Sequence, residues 1–235
     1  MRVTWFGHSA FRLEFGASVV LIDPFLTGNP SFAGDPVAAA AGATHVVLTH
    51  AHADHVGDAD AICRRGATLV ANFEVAHHLS HHGLYPAIDG NTGGAIDCGA
   101  FRVVLTPALH SSSVSEEGGR TREMGLPNGV VIVPKAAGEP VVYHMGDTDI
   151  FPGMTLIEEL WHPEIVMVPI GDHYTMGARA AALAVTRFLP GARLVLPCHW
   201  GTFPVLDAAP DAFVAAMGDQ AGRVRIPEIG AAFEV

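Results

Sequence analysis

Positive charge is in short supply in this chain of 235 residues: 13 Lys and Arg stand against 24 Asp and Glu, a formal net charge of −11. So acidic a surface repels nucleic-acid phosphate and anionic lipid. No run of basic residues offsets it, so no nucleic acid and no membrane is expected as a partner. Cysteine is scarce too. Cys63, Cys98 and Cys198 are odd in number and far apart, and none belongs to a Cys-x-x-Cys pair. That pattern reads as free thiols in a reducing cytoplasm and not as a disulfide framework. The chain lacks an uninterrupted apolar stretch of about 18 residues, which argues against a membrane span. Its opening, "MRVTWFGHSAFRLEF", lacks an apolar h-region, which argues against a signal peptide. Charged residues make up 16% and apolar residues 49%. That balance, at this length, suits one globular domain over residues 1–235 with a sizeable core.

Short apolar runs alternate with turn residues and helical segments. "VTWFGHSAFRLEF" and "ASVVLID" read as a hairpin closed around Gly16. "THVVLTH", "ATLVANF" and "CGAFRVVLTPA" read as further strands, and the continuous apolar run of the first is expected of a strand buried on both faces. Helices are expected over residues 56–65 and 74–82. The second half repeats this grammar: "GVVIVP", "PVVYHMGD", "EIVMVPIG" and "ARLVLPCHWG" read as strands, with helices over 178–189 and 210–221. The alternation makes an α/β chain. Two similar halves imply two sheets packed face to face with helices outside, and no low-complexity linker divides them. Residues 110–129, "HSSSVSEEGGRTREMGLPNG", form the longest loop candidate, polar and glycine-rich as functional loops often are.

Histidine is what the chain has in quantity, 14 in all. "LTHAHADHVGD", residues 48–58, places His50, His52, Asp54 and His55 within six positions at the end of a buried strand. His50 and His52 are two apart, so in extended backbone they point the same way. Asp54 and His55 fall where the chain turns into a helix. One turn can therefore serve two metal ions, and neutral imidazole with carboxylate suits Zn²⁺, Mn²⁺ or Fe²⁺. Four ligands do not complete two sites. Further donors stand at other strand ends: His110 in "LTPALHSSS", Asp147 in "VVYHMGDTD" and His199 in "LVLPCHWGTFP".

The order His-x-His-x-Asp-His, then His, then Gly-Asp-Thr, then His resembles the metallo-β-lactamase superfamily over essentially the whole chain. "WFGHSAF", "PIGDHYTMG" and "PCHWGTFP" narrow the resemblance to the small single-domain metal-dependent hydrolases related to ascorbate-6-phosphate lactonase. The resemblance implies a four-layer αββα sandwich, two mixed sheets flanked by helices, with the site at one edge of both sheets. It assigns His50, His52 and His110 to one ion and Asp54, His55 and His199 to a second, with Asp147 bridging them. Two divalent ions per chain are implied, with zinc or manganese favoured over iron or nickel. A shared water of lowered pKa would then attack a small ester-type substrate, a lactone or a phosphodiester. Asp54 and Asp147 would be the catalytic carboxylates. Thr49, Asp58, Asp149 and backbone carbonyls are the candidates to hold the far ring nitrogens of the histidine ligands.

Other polar residues invite a role. In the resembling group the segment of His8, "FGHSAF", lies close to the metals, so His8 is a candidate contact to substrate or to a metal ligand. His173, in "IGDHYTMG" before a helix start, is a candidate substrate contact, with a structural His the bland alternative for each. Ser111–Ser113 can donate hydrogen bonds or only cap their loop. "AHHLSHHG" carries the i,i+4 pairs His77/His81 and His78/His82, for which a solvated helix face is expected and not a third metal site. His144 is expected to be buried and hydrogen-bonded. Cys198, as a strand neighbour of His199, is expected to face away from the metals. The competing functions are a di-iron or other metal oxidoreductase of the same fold, which usually carries a flavin domain not visible here, and a metal-binding sensor without turnover. A small-molecule substrate and association into a homo-oligomer complete the expectation.

Overall fold

The computed structural model describes residues 1–80 and 83–235. The chain opens with β1 (Arg2–Trp5), β2 (Phe11–Phe15) and β3 (Ser18–Ile22), then α1 (Pro36–Ala39), β4 (His45–Val47), α2 (Ala53–Val56), α3 (Ala59–Cys63), β5 (Thr68–Asn72), α4 (Phe73–Leu79) and β6 (Ala87–Gly90). The second half holds β7 (Ala95–Asp97), β8 (Phe101–Pro107), β9 (Ser113–Ser115), β10 (Thr121–Glu123), β11 (Asn128–Pro134), β12 (Val142–His144), α5 (Met154–Trp161), β13 (Ile165–Pro169), α6 (Ala178–Leu183), β14 (Leu194–Cys198) and α7 (Asp211–Ala216). Finally β15 (Ala232–Glu234) returns to the first sheet and pairs with β1.

One mixed sheet runs β15-β1-β2-β3-β4-β5-β6 and the other β14-β13-β12-β11-β8-β7. In each, antiparallel pairs give way to parallel ones: at β3/β4 in the first sheet and at β12/β13 in the second. Side-chain alternation builds the layers. In β13, Ile165 and Met167 enter the core between the sheets, while Val166 and Val168 enter the one beneath the second-half helices. In β4, Val47 faces the other sheet and Val46 packs in the apolar layer that holds Ala59 and Ile62 of α3. Buried on both faces, such strands have to be apolar throughout, which is why they read as continuous runs. The result is an αββα sandwich of two mixed sheets flanked by helices.

Several elements differ from their sequence reading. "VTWFGHSAFRLEF" is two strands, joined by a tight turn in which Phe6 N–H donates to Ala10 O (2.8 Å). The Gly16 hairpin joins β2 to β3. The helix expected over 56–65 starts earlier and breaks at Gly57, where φ is +41° and a Cβ would stand 2.5 Å from Phe25 Cα and Pro24 O. Backbone of another segment occupies the space a side chain would need. The helix over 178–189 widens from α6 into a π-helical turn, Ala184–Phe188, and α7 passes into a 3₁₀ turn, Gly218–Arg223. Within 110–129, β9 and β10 pair as a small separate hairpin. The segments α1, α5, β6, β7 and β15 are short or weakly periodic and had no sequence reading. Of "AHHLSHHG", His81 and His82 lie outside the described residues. His77 packs on Phe73 (ring centroids 4.1 Å apart), and Arg122 donates to His78 (3.0 Å).

Candidate metal centre

The carboxyl ends of β3, β4, β8, β12 and β14 meet at one edge of the sandwich. There the structure brings His50, His52, Asp54, His55, His110, Asp147 and His199 together from four separate stretches of chain. Donor atoms within 4.8 Å of one another form three overlapping sets: His50, His52 and His110; His50, His55 and Asp147; and Asp54, His55 and His199 with His8. Asp147 lies between the outer two. Its Oδ2 is 3.0 Å from His199 Nε2, 3.3 Å from His55 Nε2, 3.6 Å from His110 Nε2 and 4.0 Å from His50 Nε2. Gly146, with φ +65°, makes this approach geometrically feasible, because a Cβ there would collide with the Asn128 carbonyl.

A carboxylate absent from the sequence reading organises the two sides. Asp23 is wholly buried just past β3. Its Oδ2 accepts from His55 Nδ1 (2.7 Å) and from the Thr49 hydroxyl (2.6 Å), and its Oδ1 accepts from Thr49 N–H (2.9 Å). The Thr49 oxygen is in turn 2.9 Å from His50 Nδ1. Thr49 spends its proton on Asp23 and so accepts from His50. Both Nδ1 atoms therefore carry a hydrogen, and both Nε2 atoms face the cluster, where an ion would take the place of any Nε2 proton. The signal was available: Asp23 closes the strand "VVLID", a strand-end acid like Asp147. Of the other candidates for this role, Asp58 instead accepts from Thr27 and Leu26, and Asp149 from Ile150 N–H.

The donor set fits divalent cations on the structure's own terms. His55 Nε2, Asp147 Oδ1 and His199 Nδ1 are buried without a hydrogen-bond partner, and such orphaned atoms are costly unless something binds them. All donors are imidazole or carboxylate, the set suited to zinc, manganese or iron. Burial lowers the pKa of His50 well below its ordinary value, and also lowers His52 and His110, so these rings are neutral. Burial opposes charge on His55 too, but the Asp147 and Asp23 carboxylates outweigh it and hold the pKa above the ordinary histidine value. Burial favours the neutral form of Asp147, yet His199 and His55 keep it ionised, well below the usual carboxylate range. For Asp54 the opposition of burial is overcome chiefly by the hydrogen bond from His8. Excess negative charge at such a site is what a cation relieves.

A cavity of 260 Å³ opens over the cluster, lined by His52, Asp54, His110, Asp147 and His199 together with Ser111 and Tyr174. A larger open groove, 640 Å³, runs past Phe32, Asp35 and Glu228 and contains none of the clustered histidines. His173 is exposed, with φ +50°, and its ring packs edge-on to Tyr174. Tyr174, and not His173, lines the cavity. His8 is fully buried and does not line it. Ser111 Oγ lies 3.5 Å from His52 Nε2, whereas Ser112 is buried and bonded to backbone. His144 is buried, bonding Ser9 O through Nε2 and Gly146 N–H through Nδ1 (both 3.0 Å), which steadies the turn into Asp147. Cys198 sits in the core between the sheets, its thiol pKa pushed well up by burial, and all three cysteines are free and buried.

An αββα sandwich with a histidine–aspartate cluster at the common edge of its sheets defines the metallo-hydrolase class to which this fold and site correspond. Residues 19–200 match the family described as the beta-lactamase superfamily domain, and the chain belongs to that family. It is 55% identical over 231 residues to a metal-dependent hydrolase of Methylocella silvestris, covering 98% of both chains. It is 52% identical over 239 residues to one of Methylobacterium nodulans, covering 100% of both. Among solved structures it is similar to Igni18, a metallo hydrolase of Ignicoccus hospitalis, with TM-score 0.86, 36% identity, and coverage of 100% of this chain and 98% of that one. The chain is thus a metal-dependent hydrolase of the metallo-β-lactamase superfamily. Among the described residues no helix is long and apolar enough to cross a membrane.

Proposed function

We propose that this protein is a dinuclear hydrolase that opens a lactone or a phosphodiester in the cytoplasm, acting on a small molecule and not on nucleic acid or membrane lipid. The observation that carries the reading is the position of Asp147 Oδ2, within 4.0 Å of an Nε2 atom from each of four histidines drawn from both clusters. His50, His52 and His110 would hold one ion, and Asp54, His55 and His199 the second, with Asp147 between them. Zinc or manganese suits this set best, with iron and nickel the alternatives. When bound, such ions would supply Lewis acidity and a water activated near neutral pH.

The chain's own residues do the rest. Asp147 offsets the charge at the centre, where two cations would otherwise repel. Asp54, with 30% of its side chain exposed and lining the cavity, would present its free oxygen to the second ion while Oδ2 stays bonded to His8. The Ser111 and Tyr174 hydroxyls on the cavity wall, not assigned to an ion, orient the substrate there. A volume of 260 Å³ limits the reacting part of the substrate to a small group. The Cys198 thiol is buried and does not line the cavity, so it is not the nucleophile.

The deciding experiment strips the protein with chelator, reconstitutes it with Zn²⁺ or Mn²⁺, and counts bound metal while lactones, phosphodiesters and thioesters are screened. Two ions per chain with restored turnover of a lactone or phosphodiester is the expected result. A folded protein that binds no metal would sink the site assignment. Full metal content without hydrolysis of any substrate would point to a sensor, and redox turnover to an oxidoreductase.

A further inference from the structure

Of the two contacts the sequence left open for His8, to substrate or to a metal ligand, the structure favours the second. Its side chain is fully buried and does not line the cavity, so a substrate does not reach it. Its ring lies 4.0 Å from the His199 ring, centroid to centroid, and is walled by Phe25 and Phe203. Residue 8 is held in the left-handed region, φ +51°, where its carbonyl accepts from both His199 N–H and Trp5 Nε1–H (3.0 Å each). His199 is left-handed as well, φ +57°. Two strained residues locked to each other at one site are maintained by the structure around them.

A neutral imidazole has one N–H. His8 Nε2 is 3.0 Å from Asp54 Oδ2, and His8 Nδ1 is 3.1 Å from the Thr202 hydroxyl oxygen. If Nδ1 carried the hydrogen, two lone pairs would face each other across the contact with Asp54. With the hydrogen on Nε2, His8 donates to Asp54, and Thr202 gives its one proton to Nδ1 (3.1 Å) in preference to the more distant Trp200 carbonyl (3.3 Å). The Ser31 hydroxyl, 3.4 Å from the Thr202 oxygen, can then donate to Thr202. The relay Ser31, Thr202, His8, Asp54 runs in one direction with every proton used once. Asp54 keeps its other oxygen for an ion. A fifth ligand from His8 would also crowd a site already given Asp54, His55, His199 and Asp147, whereas catalytic sites keep a position open.

We infer that His8 is a positioning residue which, through a tautomer set by Thr202, orients the Asp54 carboxylate toward the second metal ion. The inference rests on Asp54 being a ligand of that ion.

The test measures Zn²⁺ binding to the chelator-treated full chain by titration calorimetry, with the absorption spectrum of the Co²⁺-loaded protein alongside. H8A should weaken the second ion by about 10–100-fold, the usual cost of removing such a partner, and leave the first unchanged. H8Q, whose amide N–H stands near the place of Nε2, should restore most of that loss with the wild-type Co²⁺ spectrum. T202V should weaken the second ion less than H8A does. Wild-type affinity for both ions in a folded H8A overturns the inference. So does a Co²⁺ spectrum in H8Q that reports a lost nitrogen donor, because His8 would then be a ligand. If H8A does not fold, H8Q and T202V decide: unchanged second-ion affinity in T202V overturns the relay. A wild-type protein that takes up no divalent ion fails the proposed function instead, so the two failures are distinguishable.

Discussion

Replacing Asp23 with asparagine should damage both halves of the metal centre at once, although Asp23 belongs to neither ligand set. The carboxylate accepts three hydrogen bonds in a fully buried position, two at Oδ2 from His55 and Thr49 and one at Oδ1 from Thr49 N–H. An asparagine has one acceptor and one donor atom for these three donors. Its best orientation puts the oxygen where Oδ2 was, which keeps the bonds to His55 and Thr49 but removes their charge assistance. Charge-assisted bonds are about twice as strong as neutral ones, a loss of about 1 kcal/mol for each of the two. The amide then faces Thr49 N–H, donor against donor, and an unsatisfied buried donor costs about 1–3 kcal/mol. The sum is about 3–5 kcal/mol, which for a domain of this size lowers Tm by about 6–20 °C. Because Asp23 holds His55 directly and His50 through Thr49, affinity for both ions should fall, by about 10–100-fold each. Calorimetric titration with Zn²⁺ and thermal unfolding of the apoprotein measure the two effects. T49V is the comparison: it should weaken the ion at His50, His52 and His110 more than the other. A D23N protein with wild-type Tm and two wild-type affinities would refute the reasoning, as would loss confined to one ion.

Three further outcomes are expected. D147A leaves the charge between the clusters uncompensated, so it should bind fewer ions by elemental analysis and lose turnover at least about 100-fold, within the range for a key electrostatic group. C198S should retain turnover, since the thiol faces the inter-sheet core, but it should unfold at lower temperature because a hydroxyl replaces a thiol among apolar side chains; a lost rate with intact metal content would contradict this placement. H173A should leave metal content and kcat/KM unchanged, whereas Y174A should keep both ions and raise KM, with kinetics and metal analysis on the same preparations separating them.

The residues that carry chemistry were conspicuous in the sequence for a physical reason. Ligating side chains must leave an apolar strand at its end, so His50, His110, Asp147 and His199 each interrupt an apolar run, and His50 to His55 crowd into one turn. The strands themselves were legible because both faces of a central strand in a four-layer sandwich are buried, as Val166 and Met167 show by entering different cores. The helix over 56–65 was misread because periodicity does not register the approach of Pro24 and Phe25 to Gly57. That Tyr174 lines the cavity and His173 does not follows from a left-handed turn at Asp172 and His173, which periodicity does not register. Asp23 lies 32 residues from His55, and His8 lies 46 from Asp54 and 194 from Thr202. Local sequence determined which side chains are available to hold metal. Only the packing of the two sheets decided which of them meet, which hydroxyl or carboxylate sets each histidine's tautomer, and that His8 faces a carboxylate and not the cavity, because those contacts join segments whose separation along the chain leaves no local trace.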